Sequence, residues 1–306
     1  VKHRVLVLVF VLLGFTMALT VSTLSLQPLA PIAELVVFGD SLSDVGNVFQ
    51  ATGGLHPPSP YFQGRYSNGR VWVEYLSDRL ELSSTDMTNF AYGGATAADT
   101  PNALVPSLHS QVQSFLSSHS QVSTQINTQA LYVIWIGAND YLQGSARTDA
   151  PANVVIESID TLVRAGATRI LVANLPNLGQ LPATQNSTQA DTLNSLSKAY
   201  NRRLQRSLNQ LNQPLSQENQ HTAKLKLAVL DVNALYRHAI TNPAKYGLTN
   251  VTQACLTGSQ RCDQPEQFLF WDGIHPTTAA HQVLGEAAFA AIQDAGMTRS
   301  QLAQLP

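Results

Sequence analysis

The run Leu35-Val36-Val37-Phe38-Gly39-Asp40-Ser41-Leu42-Ser43-Asp44-Val45-Gly46-Asn47 passes from an apolar stretch of strand character into Gly-Asp-Ser, then into small and polar residues. A serine just past the carboxyl end of a buried strand lies where open α/β sheets bind ligands. The start of a following helix would offer it backbone N–H groups, which favour developing negative charge. Two readings of Ser41 compete on these residues alone. One is a nucleophile; the other is a helix N-cap, a position that Ser and Asp also fill well.

A serine hydroxyl is a weak nucleophile near neutral pH and needs a base. Histidine suits that task because its pKa lies near the working pH, and a carboxylate then fixes its tautomer and steadies the imidazolium. Near the C-terminus stands Phe270-Trp271-Asp272-Gly273-Ile274-His275-Pro276-Thr277. Pro276 disfavours helical backbone at His275, so one loop before a helix can supply both acid and base. The plain alternative is a surface His and Asp beside a turn. Two more segments end strand-like runs in small residues: Asn89-Phe90-Ala91-Tyr92-Gly93-Gly94-Ala95-Thr96, and Leu131 to Ile136 followed by Gly137-Ala138-Asn139-Asp140. Glycine lets a backbone approach a ligand closely. An Asn amide can donate to an oxyanion, where each such donor contributes roughly 3–4 kcal/mol to the transition state. Taken singly, each segment also reads as an ordinary strand-to-helix turn.

Together the four blocks, in this order from Leu35 to about Ala291, resemble the GDSL, or SGNH, serine hydrolase family. The resemblance implies Ser41 as nucleophile and first oxyanion donor, the Gly94 N–H as second donor, the Asn139 side chain as third, and Asp272 and His275 as the partners of Ser41. It implies a three-layer α/β/α sandwich on a flavodoxin-like, mostly parallel five-stranded sheet, with no metal or organic cofactor. Pro60 to Gly69 and Phe270 to His281 look most like the secreted lipase, esterase and lipid acyltransferase branch. An α/β-hydrolase would instead carry Gly-x-Ser-x-Gly on a strained elbow; here position 43 is Ser, and the pentapeptide occurs nowhere else. The expected function is an exported serine esterase or lipase-like hydrolase acting on lipid or small acyl esters, with contact to a lipid surface. Lipid acyl transfer or removal of acetyl groups from polysaccharide would use the same residues. A non-catalytic lipid- or glycan-binding module is the alternative from another class.

The elements that must position these residues can be read from the patterning. Strands and helices alternate, which implies a parallel sheet. Strands are expected at Leu35–Phe38, near Thr85–Ala91, and at Leu131–Ile136, Arg169–Ala173 and Leu225–Asp231. Their apolar runs are nearly continuous, as suits strands covered on both faces. Helices are expected at Asn153–Ala165, Asp191–Asn212 and Thr277–Asp294. Leu193, Leu196, Tyr200, Leu204, Leu208 and Leu211 form a core-facing stripe on the second of these. Pro57–Gly69 reads as a long loop whose Tyr61, Phe62 and Tyr66 line an acyl pocket or pack over the sheet edge. Asp40 and Asp44 are assigned to turn and capping bonds, and Asp140 to bracing the Asn139 loop. Asn174–Asn177 is a candidate pocket wall, and His281 a surface or packing residue.

Residues 1–33 are assigned to a leader and 34–306 to the hydrolase domain. Lys2, His3 and Arg4 precede an apolar run from Val5 to Val21, which reads as a secretory signal. Cleavage is expected between Ser22 and Ala33, and the protein is then secreted or periplasmic. Residues 5–21 would serve as a membrane anchor if the leader were retained. Cys255 and Cys262 suit export: in an oxidising compartment they can close a short loop, worth about 2–3 kcal/mol on chain-entropy grounds. Charged residues make up only 12% of the chain and the net charge is −2, so nucleic acid binding has no electrostatic support. The His56, His109, His119, His221 and His238 side chains fall at no metal-ligand spacing.

Overall fold

The computed structural model describes residues 30–100, 103–120, 125–211 and 225–298. In chain order these form β1 (Glu34–Gly39), α1 (Asn47–Ala51), α2 (Trp72–Arg79), β2 (Met87–Asn89), α3 (Leu108–Ser120), β3 (Ala130–Trp135), α4 (Ala138–Leu142), α5 (Ala150–Ala165), β4 (Arg169–Ala173), α6 (Ala190–Leu211), β5 (Lys226–Leu230), α7 (Val232–Thr241), β6 (Asn250–Ala254), β7 (Leu256–Thr257), β8 (Gln260–Arg261), β9 (Phe268–Phe270) and α8 (Thr278–Asp294). The expected leader and its cleavage site lie largely outside the described residues, as does His221. No helix among the described residues is long and apolar enough to cross a membrane.

Five strands pair in the order β2-β1-β3-β4-β5, all parallel. This is the flavodoxin-like order, whose switch point lies between β1 and β3. Every residue of β3 and β4 is buried, because helices cover both faces. α2 packs on α8, while α3, α5 and α6 pack in series. Right-handed crossovers require this division: the step from β1 to β2 runs opposite to the steps toward β3, β4 and β5, so its helix falls on the other face. Phe38 stacks on Phe90 at 5.5 Å between centroids, and both meet the Phe115 ring edge-on at 5.7 and 5.8 Å.

The five expected strands and three expected helices fall close to where the patterning puts them, with small shifts that have local causes, while α1 to α4, α7 and β6 to β9 are additional to those expectations. β2 is shorter than the strand expected near Thr85–Ala91, since past Asn89 the backbone carbonyls of Asn89 and Ala91 accept from the Asn47 amide. α5 begins at Ala150 rather than Asn153, with Pro151 in the first turn, where its missing N–H leaves nothing unpaired. Cys255 and Cys262 are joined as a disulfide across the β7–β8 hairpin. Cys255 N–H donates to Phe270 C=O at 3.0 Å, so the hairpin is tied to the stretch that leads into Asp272.

β1 ends in a tight place. A side chain on Gly39 would put its Cβ 2.7 Å from the Trp135 carbonyl, so only glycine fits. The strand's last residue is met by the buried Gln111 of α3 on both its N–H and its C=O, and Tyr92 N–H also donates to Gly39 C=O at 3.2 Å. Gly39 N–H donates to Gln111 Oε1 at 2.9 Å, and Gln111 Nε2 donates back to Gly39 C=O at 2.9 Å. Gln111→Leu would leave the Gly39 N–H buried and unpaired, at a cost of about 1–3 kcal/mol. Urea denaturation is expected to show that loss, with reduced activity in the folded fraction.

Candidate active site

Ser41 sits in a turn, and the chain does not enter a helix there. Ser43 and Asp44 N–H groups both donate to Asp40 C=O at 3.0 Å, and Asp40 Oδ1 accepts from Leu42 N–H at 3.0 Å. α1 starts only at Asn47, preceded by Gly46 at φ 119°. The N-cap reading of Ser41 therefore falls, and so does the expectation that a helix start immediately follows it. Asp44 accepts from Gly46, Asn47 and Val48 N–H groups and, from across the sheet, from Gly93 N–H at 2.9 Å. Asp40 and Asp44 are thus taken up in turn and capping bonds, as their positions imply. Burial raises the Asp40 carboxyl to about 7, against the Leu42 hydrogen bond and the nearby His275 charge, which lower it.

The loop from Trp271 to Pro276 is folded around Asp272. Trp271 N–H donates to His275 C=O at 2.7 Å. Asp272 Oδ1 accepts from the backbone N–H groups of Ile274 and His275 at 2.8 and 2.7 Å. Its Oδ2 lies 2.7 Å from His275 Nδ1, and His275 Nε2 lies 2.8 Å from Ser41 Oγ. Burial alone would raise the Asp272 carboxyl. The His275 charge and the hydrogen bonds from His275 and Tyr61 outweigh it and hold the group well below the usual carboxylate range. An ionised Asp272 only accepts, which puts the proton on Nδ1 and turns the Nε2 lone pair toward the Ser41 hydroxyl.

Two aromatic residues complete this side. The Tyr61 hydroxyl donates to Asp272 Oδ2 at 2.6 Å, and the Tyr66 ring lies 5.3 Å from the His275 ring. The 57–69 loop that carries them is fastened to the His275 side by Ser67 Oγ donating to Pro276 C=O at 2.9 Å and Thr278 N–H donating to Asn68 Oδ1 at 2.8 Å. The sequence puts aromatics in this loop but does not say that one meets Asp272 and the other His275. The contacts span more than 200 residues, and no local pattern encodes them.

Across the switch point, Gly94 stands at φ +82° with open space on its Cβ side. Its C=O accepts from Gln143 Nε2 at 3.0 Å. Among the described residues, neither the Gly94 N–H nor the Ser41 N–H finds an acceptor. Gly93 has no such freedom, since a Cβ there would strike the Tyr66 ring at 2.3 Å. Asn139, at the start of α4, donates from Nδ2 to Ala95 C=O at 2.9 Å, which leaves its second amide hydrogen available. Asp140 Oδ2 accepts from Ala97 N–H at 2.9 Å, so Asp140 braces the Gly94 loop onto the end of β3. One serine, one imidazole–carboxylate pair and three N–H donors thus gather at the carboxyl edge of β1, β2 and β3. That set can attack a carbonyl and hold the resulting negative charge.

Other candidates are not drawn in. Asn174 Nδ2 donates to Asp231 Oδ1, and Asn201 brackets Leu175, so the end of β4 is spent on joining α7 and α6. A cavity of about 850 Å³ beside β5, α7 and α8 contains none of the gathered residues. His281 is a packing residue and not a surface one, with 0% exposure. Its Nδ1 accepts from Trp72 N–H at 3.2 Å.

A family model described as GDSL-like lipase/acylhydrolase matches residues 35–288. The phosphatidylcholine-sterol acyltransferase of Aeromonas hydrophila is 29% identical, over 91% of this chain and 95% of its own length. The secreted effector protein SseJ of Salmonella typhimurium is 30% identical, over 83% of this chain and 62% of its own length. Among solved structures, a putative GDSL-like lipase from Parabacteroides merdae superposes with a TM-score of 0.48 at 13% identity, over 89% of this chain and 100% of that one.

Burial and the neighbouring His275 lower the His281 pKa from 6.5 to about 3. The unfolded chain therefore binds more protons than the folded one between those values, so stability falls as pH drops through that window. Urea denaturation across pH is expected to show this slope in the parent chain and a flatter one in His281→Asn. The difference should total on the order of 3–5 kcal/mol. Asp40 contributes the opposite slope between about pH 4 and 7, and it does so in both proteins.

Proposed function

We propose that this chain, which belongs to the GDSL-like lipase/acylhydrolase family, performs its ester hydrolysis through an acyl-enzyme on Ser41. The observation that carries the reading is the continuous chain from Ser41 Oγ through His275 to Asp272, with contacts of 2.8 and 2.7 Å. His275 Nε2 takes the hydroxyl proton as Oγ attacks the ester carbonyl. The Ser41 and Gly94 N–H groups and the Asn139 amide hold the oxyanion. As the tetrahedral intermediate collapses, the alcohol leaves with the proton from His275. Water, deprotonated by the same nitrogen, then attacks the acyl-enzyme and frees the acid and Ser41. Asp272 keeps Nδ1 protonated and steadies the imidazolium throughout.

A second reading is acyl transfer, in which another alcohol replaces water at the acyl-enzyme. The similarity to a phosphatidylcholine-sterol acyltransferase over nearly the whole length of both chains favours it. Product analysis with an added acceptor alcohol separates the two.

Contact with a lipid surface is supported by the rim of the site. The stretch from Val45 to Gly64 contains no charged residue. Leu55, 69% exposed, and Leu104, fully exposed, project from the loops that follow β1 and β2, both at the carboxyl edge that carries Ser41. Residues 34–306 then act as the hydrolase domain, and residues 1–33 as an export leader. Similarity to a secreted effector and the disulfide both favour export. Fractionation with N-terminal sequencing checks this: mature protein beginning between Ser22 and Ala33 outside the cytoplasm is expected, and full-length cytoplasmic protein would count against it.

A fluorophosphonate probe is expected to label the parent chain and not Ser41→Ala, and hydrolysis of p-nitrophenyl esters from acetate to palmitate should vanish in that variant. Activity surviving Ser41→Ala would overturn the mechanism. In the same assay Asn139→Ala is expected to lower kcat by about 10²–10³, and an unchanged kcat would remove its amide from the oxyanion site.

A further inference from the structure

We propose that Tyr61 is a positioning residue for the reaction, a fourth link that holds the Asp272 carboxylate on His275 and sets its charge. The inference rests on the proposed roles of Ser41, His275 and Asp272. The two oxygens of Asp272 are used differently. Oδ1 is filled by the Ile274 and His275 backbone N–H groups, which orient the carboxylate from its own loop. Oδ2 faces the imidazole, and its other lone pair receives the Tyr61 hydroxyl at 2.6 Å. Tyr61 therefore shares with His275 the single oxygen that acts on the base.

The hydroxyl is held in place by its surroundings. The Tyr61 ring stands edge-on to Trp271 and to Tyr66, both at 6.2 Å between centroids, and its N–H donates to Pro58 C=O at 3.1 Å. Trp271 is fully buried beside Cys255, so the wall behind Tyr61 is the disulfide-closed hairpin. Burial, then the Asp272 hydrogen bond and charge, raise the Tyr61 phenol, so it remains a proton donor at every working pH.

A donor on Oδ2 draws negative charge away from the imidazole, so Asp272 steadies an imidazolium less than an unshared carboxylate would. The other groups that face His275 are Asp40 from the turn after β1, His281 from α8, and the Tyr66 ring. None of these touches Asp272 Oδ2, so an effect routed through that oxygen belongs to Tyr61.

Tyr61→Phe keeps the ring and removes only the hydroxyl. With a soluble p-nitrophenyl ester, kcat is expected to fall roughly 3- to 10-fold at unchanged KM, as suits one charge-assisted hydrogen bond acting through a neighbour. The acidic limb of kcat/KM is expected to move up by about half a pH unit, because a carboxylate relieved of one donor steadies the imidazolium more. A role in packing alone would not move that limb. 3-Fluorotyrosine placed at position 61, a stronger donor, is expected to move it down, and it carries the test if Tyr61→Phe fails to fold. In an Asp272→Asn background, Tyr61→Phe should leave the limb where it is. A limb unmoved by both changes in an otherwise intact enzyme overturns the role of Tyr61 while Ser41 dependence still stands. Activity that persists in Ser41→Ala overturns the underlying reading instead.

Discussion

β1 ends while buried on both faces, and a peptide group buried there without a partner costs more than any single contact returns. Gly39, Asp40 and the turn that follows therefore need acceptors and donors brought from elsewhere, and most of the site's framework consists of those groups. Gln111 reaches in from α3 to satisfy Gly39. Asp44 ties the turn to Gly93, and Asn47 and Asn89 exchange amide bonds with the backbone on either side. Trp72 Nε1 donates to the buried Ser43 hydroxyl at 3.0 Å and fastens α2 to the same turn. Among the described residues the Ser41 and Gly94 N–H groups of this region have no acceptor. In the proposed mechanism these two groups hold the oxyanion.

The opposite wall of the site solves a different problem, the burial of a negative charge. Desolvation works against an ionised Asp272, and four donors offset it: two backbone N–H groups, the imidazole and the Tyr61 hydroxyl. A loop of so few residues could not hold this arrangement unaided. The hairpin closed by Cys255 and Cys262 bonds to Phe270 and Trp271, and the 57–69 loop bonds to Pro276 and Thr278. Asp272 and His275 are therefore clamped from both flanks, while Ser41 is held by the turn that ends β1. The interval between Ser41 Oγ and His275 Nε2 is set where these two hydrogen-bonded loops meet.

Much of this was legible in the chain. The unbroken apolar runs of β3 and β4 predict strands covered on both faces, and they are. Ser41, Asp272 and His275 could be picked out because each follows a local signal: a strand that stops at Gly-Asp-Ser, and an Asp and His brought together by a turn before Pro276. Gln111 could not be picked out. A glutamine in a helix of mixed polar residues looks like a solvent-facing one, and only the approach of β1 to α3 reveals that it replaces a missing strand partner. Tyr61 and Tyr66 were visible as aromatics in a loop, but their choice between pocket lining and edge packing depended on what lay across from them. The sequence leaves His281 between surface and packing, because α8 is apolar enough on several faces that its pattern does not say which one α2 covers.

By itself the sequence determined the sheet strands, three of the main helices and the residue types able to do acyl chemistry, because these follow from short-range periodicity, turn-forming residues and the reactivity of individual side chains; the family followed from the resemblance that four motif blocks carry in order. The tertiary structure alone decided that Ser41 lies in a turn and not at a helix cap, that the Asn139 amide gives one hydrogen to Ala95, and that Tyr61 shares an oxygen of Asp272 with His275. Each of these depends on hydrogen bonds and close approaches between segments far apart in the chain. Such contacts are fixed only when the sheet has closed and every buried polar group has had to find its partner.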